Sequence, residues 1–476
     1  MESFKNHQKT LQEPLSKSNS KPHYLCTIIF TLLLVVFFFF SASDQNNSPA
    51  ISYNTLAAKM LHSNKQPNEP SPPLSSSSTS LFAGAHYESC TLSEILSPGP
   101  DENKCITHHQ VSRNAVLADE EKFIGSCDVF DGQWVADENF GPAYEPGSCP
   151  FVDDSFNCFK NGRPDSDYLR LKWKPHACEI PRFDGLKMLK LLKGKRIVFV
   201  GDSLNRNMWE SLVCGLRESL TDKRRVIEVS GRGQFKSLGF YSFKFKDFNC
   251  SIDFIKSPFL VQEWNFSDKA GTRRETLRLD IMESSYNKYY DADMIVFNTG
   301  HWWTHQKTFK GKNYFQEGSF VYSKLEVADA YRRALKTWSQ WVDDNIDSSR
   351  TRVFFTGYSA SHFKGGQWNS GGSCDGETRP ITNDAHLGPY PWMMRVLETE
   401  ISRMKTPVFY LNITKMTDYR KDGHPSIFRQ PAPTRKNGSF FQDCSHWCLP
   451  GVPDSWNELL YAVLVKSDKK NLVSTQ

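Results

Sequence analysis

The chain has no paired Cys-x-x-Cys knuckles, no glycine-rich nucleotide motif, no internal repeat and no coiled-coil period. The first absence argues against zinc, so no metal is expected. The second leaves no permanently bound nucleotide cofactor to expect, and the third excludes solenoids and rods. A large charge excess is also missing. The 58 Lys and Arg against 53 Asp and Glu leave a net charge of +5, which argues against a nucleic-acid partner, since that would need a concentrated basic patch. Oligomeric state is left open.

What is present starts with a chain of 476 residues, 39% of it apolar, with 34 Phe, 17 Tyr and 12 Trp. That is enough for a large core, and an exposed part of the aromatics would suit sugar rings. Twelve cysteines suit an oxidising lumen. One of them, Cys26, lies in the apolar run 24–42, which is long enough for a bilayer. Lys5, Lys9, Lys17 and Lys21 precede the run, and the first basic residue after it is Lys59. The positive-inside rule then predicts a cytosolic tail at 1–23, a transmembrane signal anchor at 24–42 and a lumenal remainder. Ser41-Ala42-Ser43 keeps a cleaved signal peptide as the alternative. Residues 43–123 read as a stem, with Pro67, Pro70, Pro72 and Pro73 running into serines, and with Cys90 and Cys105 placed to close a small loop. Asn265, Asn412 and Asn437 open Asn-x-Ser/Thr sequons, which become acceptors in such a lumen.

The chemistry concentrates at 193–215. Residues 197–200 form an apolar, β-branched run suited to a buried parallel strand. Gly201-Asp202-Ser203 ends it, and from Asn205 onward Met208, Leu212 and Leu216 share a helical face. Ser203 is therefore expected at the carboxyl end of a strand, beside helix N-terminal amides, where open α/β sheets place their chemistry. A serine nucleophile needs a base, the base an orienting carboxylate, and the oxyanion donors. Asp443-Cys444-Ser445-His446 supplies the first two, so the expected triad is Ser203, His446 and Asp443. Gly-Asp-Ser by itself is equally a strand-ending turn; the two motifs together carry the assignment. A second buried strand, 294–297, ends at Asn298-Thr299-Gly300-His301. On chemistry alone, His301 competes with His446 as the base.

Further elements follow from periodicity. Residues 240–247 and 250–254 read as a hairpin, 352–355 and 407–411 as strands, and 325–346, 392–401 and 456–464 as helices. Short apolar strands alternating with helices give a three-layer α/β/α fold.

Four blocks occur in one order: Cys127-Asp128-Val129-Phe130-Asp131-Gly132-Gln133-Trp134, Gly201-Asp202-Ser203, Asn298-Thr299-Gly300-His301-Trp302-Trp303, and Asp443-Cys444-Ser445-His446-Trp447-Cys448-Leu449-Pro450. Together they resemble the SGNH/GDSL hydrolase superfamily. Within it they are most similar to the plant trichome-birefringence-like proteins with a PMR5-type N-terminal region, whose members include polysaccharide O-acetyltransferases. The resemblance spans roughly 126–466. It implies an SGNH-hydrolase-like catalytic domain at 182–470 and a disulfide-stapled, cysteine-rich N-terminal lobe at 124–181. It implies pairing of Cys127 with Cys178, Cys149 with Cys214, Cys158 with Cys448 and Cys374 with Cys444. Cys250 is left over for an intermolecular bond or as a buried thiol. The resemblance further offers Asn298 and an amide of Gly231 or Gly233 as oxyanion donors, with a plain turn as the alternative for each glycine. It favours His446 over His301 as the base.

The function implied is transfer of acetyl from a donor co-substrate, with acetyl-CoA one option, through acetyl-Ser203 to a hydroxyl of a cell-wall pectin, xylan or mannan. The alternatives are a polysaccharide acetyl esterase with the same triad and a noncatalytic glycan-binding protein. The implied placement is a Golgi membrane, single-pass type II, with the catalytic domain in the lumen.

Overall fold

In a computed structural model, which describes residues 127–137, 141–231, 239–267, 271–435 and 441–473, the run 197–200 is the middle of a seven-stranded sheet. In chain order the strands are β1 (Gly132–Ala136), β2 (Leu171–Pro175), β3 (Arg196–Gly201), β4 (Val226–Glu228), β5 (Phe240–Phe245), β6 (Cys250–Lys256), β7 (Val261–Ser267), β8 (Arg273–Met282), β9 (Met294–Phe297), β10 (Phe315–Glu317), β11 (Phe320–Val321), β12 (Arg352–Thr356) and β13 (Val408–Leu411). The α-helices are α1 (Gly185–Leu191), α2 (Ser203–Glu218), α3 (Val327–Asn345), α4 (Trp392–Ile401), α5 (Thr414–Asp418) and α6 (Val452–Val473). The large sheet runs β13-β12-β9-β3-β6-β5-β4. It is parallel from β13 to β6 and antiparallel through β5 and β4.

Alternation along β3 splits the core in two. Ile197 and Phe199 join Met208, Leu212, Leu459 and Leu460 on the face covered by α2 and α6. Val198 and Val200 join Ala334, Trp338, Met394 and Leu397 on the face covered by α3 and α4. A central strand with both faces buried is what an unbroken apolar run requires, and the result is three layers. Helix α2 starts at Ser203 rather than Asn205, because the Asp202 carboxylate accepts the Leu204 N–H and caps it. The closing helix α6 is longer than the expected 456–464. A separate four-stranded sheet, β11-β10-β8-β7, went unread in the sequence. Its long strand β8 buries Leu277 and Leu279 among charged neighbours, so its apolar content is modest.

The N-terminal lobe is built on the antiparallel pair β1 and β2. Trp134 and Trp173 pack edge-to-face there, with ring centroids 5.6 Å apart, and the Trp173 indole N–H donates to the Val129 carbonyl at 2.9 Å. The structure pairs Cys127 with Cys178, Cys149 with Cys214 of α2, Cys158 with Cys448 and Cys374 with Cys444. Cys250 is a buried free thiol, its pKa pushed by burial to about 12.

The expected membrane-spanning helix is not found. No helix among the described residues is long and apolar enough to cross a membrane, and 24–42, where it was expected, lies outside them. Even α6, with 22 residues, carries Asp454, Glu458 and Lys466. The described residues thus hold no membrane-spanning helix, and the membrane attachment and type II Golgi placement that followed from the expected one find no support in them.

At the start of α6 the Asp454 carboxylate accepts from Ser211 Oγ of α2 and from the Gly451 N–H, the latter at 2.9 Å. Loss of solvent, with the charge of Glu458 nearby, pushes its pKa up to about 7. The folded chain thus holds a proton that the unfolded chain, with a carboxyl near ~3.9, releases. Stability is expected to fall as pH rises from about 4 to about 7. Asp454→Asn should flatten that part of a Tm-against-pH curve; the same slope in both proteins would refute the assignment.

Candidate active site

Ser203 stands where β3 ends and α2 begins. The turn is set by close approach of β9, since a Cβ on Gly201 would lie 1.9 Å from Asn298 Oδ1, so only glycine fits. Asp202, wholly buried, is the hub. Its N–H donates to Asn298 Oδ1 at 2.8 Å. Its Oδ1 accepts from Asn298 Nδ2 at 2.7 Å, and its Oδ2 lies 3.0 Å from His301 Nδ1. Burial raises the Asp202 pKa, but His301 and the donated hydrogen bonds outweigh it and hold the carboxyl below its ordinary range.

Across the crevice, His446 Nε2 lies 2.7 Å from Ser203 Oγ, and His446 Nδ1 lies 2.8 Å from Asp443 Oδ2. The other Asp443 oxygen accepts the backbone N–H of His446 at 3.0 Å. With Nδ1–H donated to the carboxylate, the Nε2 lone pair faces the serine hydroxyl. Burial pushes the Asp443 carboxyl up; the His446 ring and amide more than reverse this, so it stays ionised well below the usual range.

The loop bearing Asp443 and His446 is braced from three sides. Cys444 and Cys448 tie it to Cys374 and to Cys158 of the N-terminal lobe. Phe156 of that lobe packs on the His446 ring, centroids 5.1 Å apart, and its carbonyl accepts the Leu449 N–H at 2.9 Å. From α2, one turn beyond the serine, Asn207 Oδ1 accepts the Trp447 N–H at 2.8 Å and Asn207 Nδ2 donates to the Trp447 carbonyl at 3.2 Å. The helix that carries the nucleophile thereby holds the strand that carries the base. Beneath, His424 Nδ1 meets the His446 carbonyl at 2.7 Å and stacks on Trp447 at 4.2 Å. Burial and the neighbouring His362 ring push the His424 pKa down to about 3, so it stays neutral.

The structure brings Ser203, His446 and Asp443 together and sets Asn298 and His301 on the neighbouring Asp202. His301 has one ring nitrogen on Asp202 and the other 3.0 Å from the Ser359 carbonyl; it holds the turn and does not contact the serine hydroxyl. The Asn298 side chain bonds Asp202 through its Oδ1 and one Nδ2 hydrogen, which fixes it beside the turn that presents Ser203. The Gly231 N–H donates to Glu228 Oε2 at 2.9 Å, which is the plain-turn reading. Gly233 lies outside the described residues, as do Cys90, Cys105 and Asn437. In the first turn of α2 the Leu204 N–H is taken by the Asp202 carboxylate and the Arg206 N–H by the Asp202 carbonyl, which leaves the Ser203 and Asn205 N–H groups as donors beside the serine. Asn265 is exposed on the edge strand β7, and Asn412 is partly buried after β13. Among the described residues no group of three or more His, Cys, Asp or Glu could hold a metal ion. Asn207, Phe156 and His424 were not singled out from the sequence; each acts through a partner far along the chain, which no local pattern reveals.

A serine at a strand end, with an Asp-backed histidine on it, on a three-layer sheet defines an α/β protein with an SGNH/GDSL-like esterase fold. Residues 180–463 match the GDSL/SGNH-like acyl-esterase family found in Pmr5 and Cas1p, and residues 125–179 match the PMR5 N terminal domain. The chain belongs to the trichome birefringence-like family. It is 65% identical over 353 residues to protein trichome birefringence-like 4 of Arabidopsis thaliana, covering 73% of this chain and 77% of that protein. It is 58% identical over 343 residues to protein trichome birefringence of the same plant, covering 71% of this chain and 56% of that longer protein. To trichome birefringence-like 6 it is 46% identical over 354 residues, covering 74% of each.

Proposed function

We propose that the chain is a serine acyl-ester enzyme of cell-wall polysaccharides, with acetyl as the acyl group. The observation that carries this is the 2.7 Å approach of His446 Nε2 to Ser203 Oγ. Ser203 Oγ attacks the acetyl carbonyl carbon and its proton passes to His446 Nε2. The oxyanion of the tetrahedral intermediate lies beside the Ser203 and Asn205 N–H groups of α2, which no carboxylate caps. Collapse breaks the bond to the leaving group, which takes the proton from His446. In the second half, water or a sugar hydroxyl attacks acetyl-Ser203, gives its proton to His446, and releases the serine, which recovers that proton.

Water as acceptor makes the protein an acetyl esterase, the outcome that the description of the matched family supports most directly. A sugar hydroxyl makes it an O-acetyltransferase, with an activated donor such as acetyl-CoA as co-substrate and nothing bound permanently. That second reading is favoured by Trp368, 43% exposed, and by the partly exposed Trp302, which offer faces to hold an acceptor glycan in place of water.

Intact mass and ester turnover of the full-length protein with 4-nitrophenyl acetate test the proposal. The wild type should form an acetyl adduct and turn over, and Ser203→Ala should do neither. Deacetylated pectin, xylan and mannan fragments, added in parallel, separate the two fates: an acceptor that gains acetyl marks transfer, while free acetate alone marks hydrolysis. A folded wild type with neither adduct nor turnover would sink the enzyme reading in favour of a glycan-binding protein.

A further inference from the structure

In the β3–β6 register, Lys256 lies opposite Gly201, and the next N–H, of Ser257, donates to the Gly201 carbonyl at 2.7 Å. Lys256 therefore leaves the sheet beside the turn that presents Ser203. Trp302 follows His301, whose ring bonds Asp202, so it borders the same turn. Onto this one indole two ammonium groups converge. Lys307 Nζ is 3.8 Å from the Trp302 ring centroid, and Lys256 Nζ is 5.6 Å from it. Lys307 Nζ is also 5.4 Å from the ring of the exposed Trp368. Phe259 holds Trp302 edge-to-face at 5.7 Å.

Both lysines are partly buried, and among the described residues neither ammonium has an ion-pair partner or a side-chain hydrogen bond. Loss of solvent lowers the pKa of each; for Lys256, Glu263 opposes the shift and Arg206 adds to it, and for Lys307, Asp202 opposes it and Lys256 adds to it. Two like charges brought together and half out of water, with Glu263 and Asp202 acting on them but in ion-pair contact with neither, are only partly compensated in the empty protein. Cation–π contact with the indoles offsets part of that. An anion supplied by the ligand offsets the rest.

We propose that Lys256, Trp302, Lys307 and Trp368 form a subsite beside Ser203 that reads the carboxylate of a uronate residue in the glycan. It rests on the acyl-ester reading and narrows its substrate class to acidic polysaccharides. A hexuronate combines the two things the cluster offers: an apolar pyranose face for the indole of Trp368, and a carboxylate for the ammonium groups. Neutral hexoses and pentoses offer only the first.

Binding is measured by calorimetry on the full-length Ser203→Ala protein, so that turnover does not enter. The ligands are an oligogalacturonate and the same oligomer methyl-esterified at every carboxylate. The acid should bind about tenfold tighter, as two partly exposed ion pairs imply. That ratio should vanish in Lys256→Met/Lys307→Met and survive in Lys256→Arg/Lys307→Arg, with Tm recorded for each to exclude unfolding. Equal affinity for acid and ester, or a ratio unmoved in the Met pair, overturns the subsite. Coenzyme A is titrated as the competing anion. If the Met pair loses coenzyme A binding while the acid-to-ester ratio stays, the lysines serve an anionic donor and the uronate assignment falls. Turnover of 4-nitrophenyl acetate by the wild type separates the two claims. Absent turnover with intact acid selectivity sinks the acyl-ester reading and leaves the subsite, and turnover without selectivity does the reverse.

Discussion

Asp443→Asn is expected to lower kcat by about four orders of magnitude while the protein stays folded. The amide keeps the size of the carboxylate, but it presents a donor where His446 Nδ1–H needs an acceptor, and it lacks the charge that stabilises the imidazolium formed when Ser203 gives up its proton. His446 Nδ1 sits within hydrogen-bond distance of both Asp443 oxygens, at 3.0 and 2.8 Å, so the wrong tautomer is built in directly. His446→Ala should fall at least as far. Steady-state turnover of 4-nitrophenyl acetate, with Tm as the folding control, reads the effect. An Asp443→Asn protein within tenfold of wild type would remove Asp443 from the triad. A collapse seen in His301→Gln and not in His446→Ala would pass the base role to the histidine that the structure places on Asp202.

Cys158→Ser/Cys448→Ser is expected to cost about 2–5 kcal/mol of stability and, unlike loss of the Cys127–Cys178 bond, to lower kcat as well. The bond spans 290 residues of sequence and fixes the loop that carries His446 to the lobe segment holding Phe156 against its ring. Without it, the loop keeps the Asn207 bridge, the His424 contact and the Cys374–Cys444 bond but loses its tie to the lobe. Cys127→Ser/Cys178→Ser is the control: that bond spans 51 residues at the far end of the lobe, so stability should drop and kcat at the growth temperature should not. Denaturant unfolding and turnover on the same preparations check both. A kcat unchanged in Cys158→Ser/Cys448→Ser would mean that the lobe staples the fold without positioning the base.

The nucleophile was legible because its whole local context is contiguous: an apolar run, a Gly-Asp-Ser turn and a helical face. The base was legible because Asp443 and His446 stand three residues apart. Of the large sheet, β9, β12 and β13 followed for the same reason, each being a short apolar run, and β5 and β6 followed from alternation, whereas the three-residue β4 went unread. Asn298 and His301 were recognised as polar groups at a strand end, yet their target was not, since Asp202 meets them only when β3 and β9 lie side by side. The strand β8 resisted for another reason. Its buried positions Leu277 and Leu279 sit among arginines and acids, and only pairing with β7 and β10 makes that stretch a strand. The Lys256 and Lys307 pair was equally hidden, being 51 positions apart by their numbering and joined only through the ring of Trp302.

The separation of Ser203 from His446, 243 positions along the chain, has a consequence for biosynthesis. The serine, its turn and its helix leave the ribosome long before the base is translated, and the Cys158 thiol waits equally long for Cys448. A growing or prematurely ended chain therefore carries a nucleophile with nothing to deprotonate it. Reactivity requires the segment that bears Asp443 and His446, and the Cys158–Cys448 bond that holds this segment down can form only after the same stretch has been made.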